Sequence, residues 1–125
     1  MHKIELMIKK IYHLKTCDTS RRIIKQLDNL LDGFVFQEIK TAPITVVQLE
    51  EMKMLVGSYE ALFSRRAKKY KEMGLKNEIL SEADYKNFLL QEYTFLKRPV
   101  VIVGDEIFIG NSKKNIEKLT EKLQA

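Results

Sequence analysis

The chain has 125 residues, of which 45% are hydrophobic and 31% charged, values typical of a soluble globular protein and not of a disordered one. This length suits one domain, residues 1–125, whose core needs neither disulfides nor a metal ion. The net charge of +5 allows an anionic substrate or a nucleic acid partner, although lysines scattered over solvated helix faces are the simpler explanation.

The first third of the chain predicts a strand, a helix and a second strand. Residues 8–14 are β-branched and aromatic enough for a strand, and apolar residues at helical spacing predict a helix from Thr19 to Leu31. FVFQEI, residues 34–39, predicts the next strand. This order predicts a parallel pair of strands joined by a crossover helix.

Residues 41–93 predict only helices and form a helical insertion. Thr45 followed by Gln48 is a capping-box pattern, which indicates the start of a helix. A further helical stretch covers residues 66–73, and Ser81 opens the last helix of the insertion.

The last part of the chain predicts a β-hairpin and a helix. Pro99 precedes VVIV, Gly104-Asp105 forms a tight turn, EIFI follows, and Ser112 caps an amphipathic helix. The complete order is β-α-β, helical insertion, β-β-α. It predicts an α/β protein with a mixed sheet between helical layers, the three-layer thioredoxin-like fold.

The cysteine content and the lack of apolar runs limit the location of the protein. A single cysteine excludes an internal disulfide and a Cys-rich zinc site, and fits a reducing compartment. No apolar run approaches the ~18 residues of a membrane span, and MHKIELMIKK is too charged for a signal peptide. We therefore expect a cytoplasmic protein with no membrane partner, no bound cofactor and no metal.

Cys17 is the candidate nucleophile, because it lies between the first strand and a helix N-terminus. The free N–H groups and the dipole of that helix end favour a thiolate. Ser20, in the spacing C-x-x-S, can donate its hydroxyl to the sulfur, and Arg21 adds positive charge, whereas Asp18 opposes it. The alternative is a buried and inert cysteine.

Two further segments supply candidate site residues. His13, at the end of the first strand, can pair with the thiolate or with Asp18, or can be an ordinary, partly exposed strand residue. In a thioredoxin-like fold a proline that opens the third strand is usually cis and faces the reactive sulfur, so we predict a cis Pro99. Arg98 would then direct its guanidinium at an oxyanion or a carboxylate, unless it is an ordinary surface residue.

The basic run around Arg65 and Arg66 can project one arginine into the same cleft. As a nucleic acid footprint the run is weak, because no base-stacking aromatic set or DNA-reading motif accompanies it. Nucleic acid binding is therefore not expected, and a solvated basic helix face is the alternative.

Three segments resemble the glutaredoxin-like arsenate reductase (ArsC) family, which shares its fold with the Spx transcription regulators. YHLKTCDTSRRIIKQL resembles the active-site segment, LFSRRAKKYKEMGL the middle helical motif, and FLKRPVVIVGDEIFIGNSKKNIEKL the closing hairpin and helix. The resemblance implies that Cys17 is the nucleophile, with the other residues of its surroundings being His13, Ser20, Arg21 and Arg98.

The sequence departs from this family at two anion-binding positions. The resemblance implies three arginines around the oxyanion, but Ser64 stands at the middle position, with Arg65 and Arg66 after it, and no arginine follows Ile109. We therefore predict that arsenate reduction is weak or absent. The C-x-x-C that the Spx proteins often carry is also missing, since Ser20 takes the second position.

The sequence thus predicts a thiol-dependent oxidoreductase in which Cys17 attacks a small oxyanion or a disulfide. Because the chain has no second cysteine, an outside thiol must resolve the intermediate, with glutathione as co-substrate or a glutaredoxin-like partner. One alternative is a non-enzymatic, Spx-like regulator that binds RNA polymerase, and another is a structural relic with an unused cysteine.

Overall fold

Four short strands form one mixed sheet in the part of the chain that the computed structural model describes, residues 8–125. Residues 1–7 of the predicted domain lie outside the described residues. The strands are β1 Lys9–His13, β2 Val35–Glu38, β3 Val100–Val103 and β4 Glu106–Ile109, in the order β2-β1-β3-β4. β1 is parallel to β2 and antiparallel to β3, and β3 is antiparallel to β4. The predicted parallel pair and closing hairpin are therefore confirmed.

The helices occupy the predicted parts of the chain. They are α1 Asp18–Gln26, α2 Val46–Val56, α3 Lys68–Glu72, α4 Glu82–Gln91 and α5 Lys113–Gln124. Helices α2, α3 and α4 lie between β2 and β3, where the helical insertion was predicted. Single 3-10 turns at Asp28–Leu30, Glu60–Leu62, Leu75–Asn77 and Tyr93–Phe95 complete the regular structure of the described residues.

Helix α1 ends at Gln26 and not at Leu31 as predicted. After Gln26 the backbone changes to the tighter hydrogen bonding of a 3-10 turn, in which the N–H of Leu30 donates to the carbonyl of Leu27 at 2.7 Å. Leu27 and Leu31 are both buried in spite of this change. The apolar spacing therefore predicted the buried face correctly but not the end of the helix.

Side-chain caps fix where α2 and α4 begin. The Thr45 hydroxyl accepts from the N–H of Gln48 at 3.1 Å, and the Gln48 side chain accepts from the N–H of Thr45 at 3.1 Å. Ser81 and Asp84 make the same reciprocal pair before α4. Each pair satisfies two N–H groups that would otherwise lack a partner at the helix end.

Alternating residues of the central strands β1 and β3 face two separate hydrophobic clusters. Ile11 and Val101 pack with residues of α1 and α5, such as Leu119. Their neighbours Tyr12 and Val100 pack in the other cluster, with residues of α2 and α4. Helices therefore cover both faces of the sheet, and the predicted three-layer α/β arrangement is confirmed.

Candidate active site

Cys17 occupies the N-cap position of α1, after the short turn that follows β1. Its N–H donates to the carbonyl of Leu14 at 3.0 Å, which closes the turn, and its carbonyl accepts from the N–H of Arg21 at 3.0 Å. The residue is partly exposed, and its side chain makes no capping hydrogen bond to the helix. The first-turn N–H groups are therefore available to stabilise an anion at this position.

A short antiparallel contact brings the middle segment of the chain beside the segment that precedes β3. Phe63 pairs with Leu96 as an isolated bridge. The N–H of Ser64 donates to the carbonyl of Phe95 at 2.7 Å, and the N–H of Lys97 donates to the carbonyl of Leu62 at 2.9 Å. The basic run after Phe63 is thereby placed next to the Arg-Pro segment.

The Arg98–Pro99 peptide bond is cis, the form expected for it. The carbonyl of Pro99 accepts from the N–H of Gly110 at 2.9 Å, which continues the pairing of β3 with β4 by one step. This hydrogen bond holds the residues that follow β4 beside the Arg-Pro segment. Gly110 has a φ of +84°, in the left-handed region that favours glycine.

These segments enclose one cavity of about 520 Å³, which we call the Cys17 cavity. Its lining contains one thiol, four cationic side chains and no carboxylate. The lining residues are Cys17, Thr19, Phe63, Ser64, Arg65, Arg66, Lys97, Arg98, Ile109, Gly110, Asn111 and Ser112. A nucleophile in a cavity that cations line without a carboxylate suits an anionic electrophile.

Two of the four cations have specific partners. The Nη2 of Arg65 donates to Glu60 at 2.7 Å and to the hydroxyl of Tyr85 at 2.9 Å, and the hydrogen bond to Glu60 is the main cause of a raised Arg65 pKa. The Nη1 of Arg98 donates to the carbonyls of Thr94 at 3.1 Å and Leu96 at 3.3 Å. Arg98 thus lines the Cys17 cavity while part of its guanidinium is held by backbone.

Ser20 is fully buried, and its hydroxyl has no hydrogen-bond partner among residues 8–125. The expected hydrogen bond from Ser20 to the Cys17 sulfur is therefore not formed. The Nε of Arg98 is likewise buried without a partner in the described residues. Within residues 8–125, these two are the buried side-chain polar groups that have no hydrogen-bond partner.

His13 and Arg21 do not line the Cys17 cavity, contrary to the expectation that they surround the sulfur. Both line a second cavity of about 400 Å³, with Phe36. The His13 ring packs edge-on against Phe36, with 5.7 Å between ring centroids, while Arg21 is held by an ion pair with Asp18 on the exposed side of α1. Burial lowers the pKa of His13, which favours the neutral ring.

The lowered pKa of His13 predicts a loss of stability in mild acid. Below the usual histidine pKa of about 6.5, the unfolded chain binds a proton that the folded protein does not, so the free energy of unfolding falls as the pH falls. We expect the urea midpoint to decrease between about pH 7.5 and 5.5.

The His13→Gln variant should show a smaller decrease over the same range. Glu38 and Glu50 also have shifted pKa values, but both are lowered from 4.5 and lose their contribution only in stronger acid. The same pH dependence in the parent and the variant would contradict this assignment.

Several residues of the Cys17 cavity were not among the predicted site residues, notably Lys97 and Asn111. Lys97 is adjacent to Arg98, so the motif that identified Arg98 contained the signal. Asn111 was detectable from the hairpin, because a two-residue turn at Gly104-Asp105 fixes the register and returns the end of β4 to Pro99. The signal for Asn111, unlike that for Lys97, depends on the pairing of β3 with β4.

No group of three or more His, Cys, Asp and Glu side chains in residues 8–125 has the arrangement of a metal site. The helices in this part of the chain are also too short or too polar to cross a bilayer.

Known proteins share both the sequence pattern and the fold. The ArsC family pattern matches residues 12–119. An Escherichia coli protein described as arsenate reductase is 27% identical over 93 residues, 74% of this chain and 66% of that protein. The chain thus spans just under two thirds of the length of this relative.

Solved structures of similar proteins cover nearly the whole chain. An ArsC family related protein from Bacteroides fragilis has a TM-score of 0.76 at 22% identity, covering 92% of this chain and 99% of its own. Arsenate reductase from Vibrio cholerae has a TM-score of 0.74 at 20% identity, covering 94% and 98%. At these identities the similarity establishes the thioredoxin-like fold.

Proposed function

The chain belongs to the ArsC family, and from that premise we propose that it is a thiol-dependent oxidoreductase whose nucleophile is Cys17. The observation that carries the proposal is the position of the chain's only cysteine, at a helix N-terminus in a cavity lined by four cations and no carboxylate. These features together favour nucleophilic attack by the Cys17 sulfur on an anionic electrophile.

The proposed first step is thiol–disulfide exchange at Cys17. The thiolate attacks one sulfur of an organic disulfide, the S–S bond breaks, and the second sulfur leaves as a thiolate. The first sulfur stays on Cys17 as a mixed disulfide. Arg98 and one of the pair Arg65 and Arg66 offset the negative charge of the substrate during this step.

The second step requires a thiol from outside the chain. The sequence has no second cysteine, and Ser20 cannot form a disulfide. A glutathione thiolate, or the thiolate of a glutaredoxin-like partner, attacks the mixed disulfide and releases Cys17 as a thiolate. The external thiolate supplies the electron pair of the new S–S bond and becomes one half of the product disulfide.

The size and lining of the Cys17 cavity favour an organic anion over a tetrahedral oxyanion. Its volume of about 520 Å³ lies in the range of sites for small organic ligands, roughly 300–1,000 Å³. Ser64 and the segment 110–112 line it without a cation, at the positions where the family resemblance implies arginines. An oxyanion of high charge density would therefore lack part of its expected stabilisation.

A comparison of two substrates tests the proposed function. We expect turnover of the mixed disulfide of glutathione and 2-mercaptoethanol, with glutathione as reductant, at about 1 per second or faster. Arsenate under the same conditions should react at least about 100-fold more slowly, because even one missing charge-assisted contact costs roughly 3 kcal/mol. The release of oxidised glutathione, coupled to glutathione reductase, measures both reactions.

Either of two results would contradict the proposal. Turnover of arsenate as fast as that of the mixed disulfide would show that the cations of the Cys17 cavity suffice to stabilise an oxyanion. If Cys17 reacts with neither substrate and the protein is retained on immobilised RNA polymerase, the alternative of a non-enzymatic, Spx-like regulator is favoured instead.

A further inference from the structure

The four cations of the Cys17 cavity differ in whether another group already neutralises them. Arg65 is paired with the Glu60 carboxylate, and Arg98 is anchored by two backbone carbonyls. By contrast, the side chains of Arg66 and Lys97 make no hydrogen bond and no ion pair within residues 8–125. Two positive charges of the cavity are thus free to respond to a ligand.

The fold places these two free cations on different sides of one backbone contact. Arg66 follows the segment that contains Phe63, and Lys97 follows its bridge partner Leu96. Both side chains line the Cys17 cavity, Arg66 from an exposed position and Lys97 from a half-buried one. Because no carboxylate lines the cavity, an anionic substrate is the group that would compensate them.

We propose that Arg66 and Lys97 determine the preference of Cys17 for anionic substrates, an inference that rests on the proposed function. Arg65, which is already paired, holds the surrounding structure in position. The substrate class is an organic thiol derivative or disulfide that carries one or more carboxylates. A long and flexible cation suits such a ligand, because it can follow a carboxylate whose distance from the reacting sulfur varies.

A pair of alkylating reagents of similar size tests this inference. Iodoacetamide is neutral and iodoacetate is anionic, and both transfer their carbon to the Cys17 sulfur with loss of iodide. The ratio of the iodoacetate rate to the iodoacetamide rate therefore reports the positive charge around the thiolate. Measuring both rates at one pH cancels differences in the fraction of thiolate.

We expect Arg66→Gln and Lys97→Gln each to lower this ratio by roughly three- to tenfold at low salt, and less at high salt because of screening. Lys97→Arg keeps the charge and should keep the parent ratio. Lys118→Gln, on the exposed surface of α5 and outside the cavity lining, controls for net charge and should leave the ratio unchanged.

The outcomes separate this inference from the proposed function. If iodoacetamide fails to alkylate Cys17 in the folded parent protein, the proposed function is wrong. If it reacts but the ratio is the same in Arg66→Gln, Lys97→Gln and the parent, the inference is wrong. A ratio that falls as far in Arg65→Gln as in Arg66→Gln would overturn the choice between these two arginines.

Discussion

Replacing Cys17 by serine lowers disulfide turnover by roughly 10⁴-fold or more and leaves the fold intact, the largest effect on activity that we expect. The chain contains no other thiol that could take over the attack. A serine hydroxyl is rarely ionised near neutral pH and cannot form a disulfide, so the mixed disulfide with the substrate cannot form. The glutathione-coupled assay measures this loss.

The stability of the same variant is the control. Cys17 is the N-cap of α1 and makes no side-chain cap, whereas serine is among the preferred N-cap residues. We therefore expect Cys17→Ser to be as stable as the parent in urea, or up to about 1 kcal/mol more stable. Turnover that survives in this variant would mean that a group other than the thiol carries the reaction.

Replacing Phe63 by alanine has the largest expected effect on stability. The ring is fully buried, stacks on Phe95 with 4.8 Å between centroids, and meets Tyr85 edge-on at 5.0 Å. Truncating such a side chain leaves a cavity and costs about 3–5 kcal/mol of the free energy of unfolding. Because Phe63 also pairs with Leu96, the walls of the Cys17 cavity should loosen with it.

Urea unfolding of Phe63→Ala measures the cost, and Phe36→Ala is the matched control. Phe36 is the same residue type on the edge strand β2, but it is 44% exposed. We expect the control to lose less than about 1 kcal/mol, since truncation there leaves little enclosed space. Similar losses in the two variants would show that packing of the Phe63 ring against Phe95 and Tyr85 contributes no more to stability than an exposed ring does.

Features that depend on neighbours in the sequence could be predicted well. Thr45 and Ser81 begin helices as expected, because a capping box joins residues only three positions apart. The hairpin of β3 and β4 was equally accessible, because the turn at Gly104-Asp105 fixes its register. Local geometry alone determines these features.

The end of α1 shows where local signals become ambiguous. Apolar residues at helical spacing continue to Leu31, although the backbone forms a 3-10 turn at Asp28–Leu30. Leu27 and Leu31 are nevertheless both buried, as they would be in a continuous helix. Periodicity indicates which side chains face the core and does not distinguish these two backbone forms.

Local patterns in the sequence were enough to predict the fold class, the position of Cys17 at a helix N-terminus and the Arg98–Pro99 pair. The charged groups around the thiol depended instead on how distant segments pack together. This packing directed His13 and Arg21 to a different cavity, and it added Lys97 through a backbone contact with Leu62. Charge compensation depends on distances between residues far apart in the chain, and tertiary packing sets these distances.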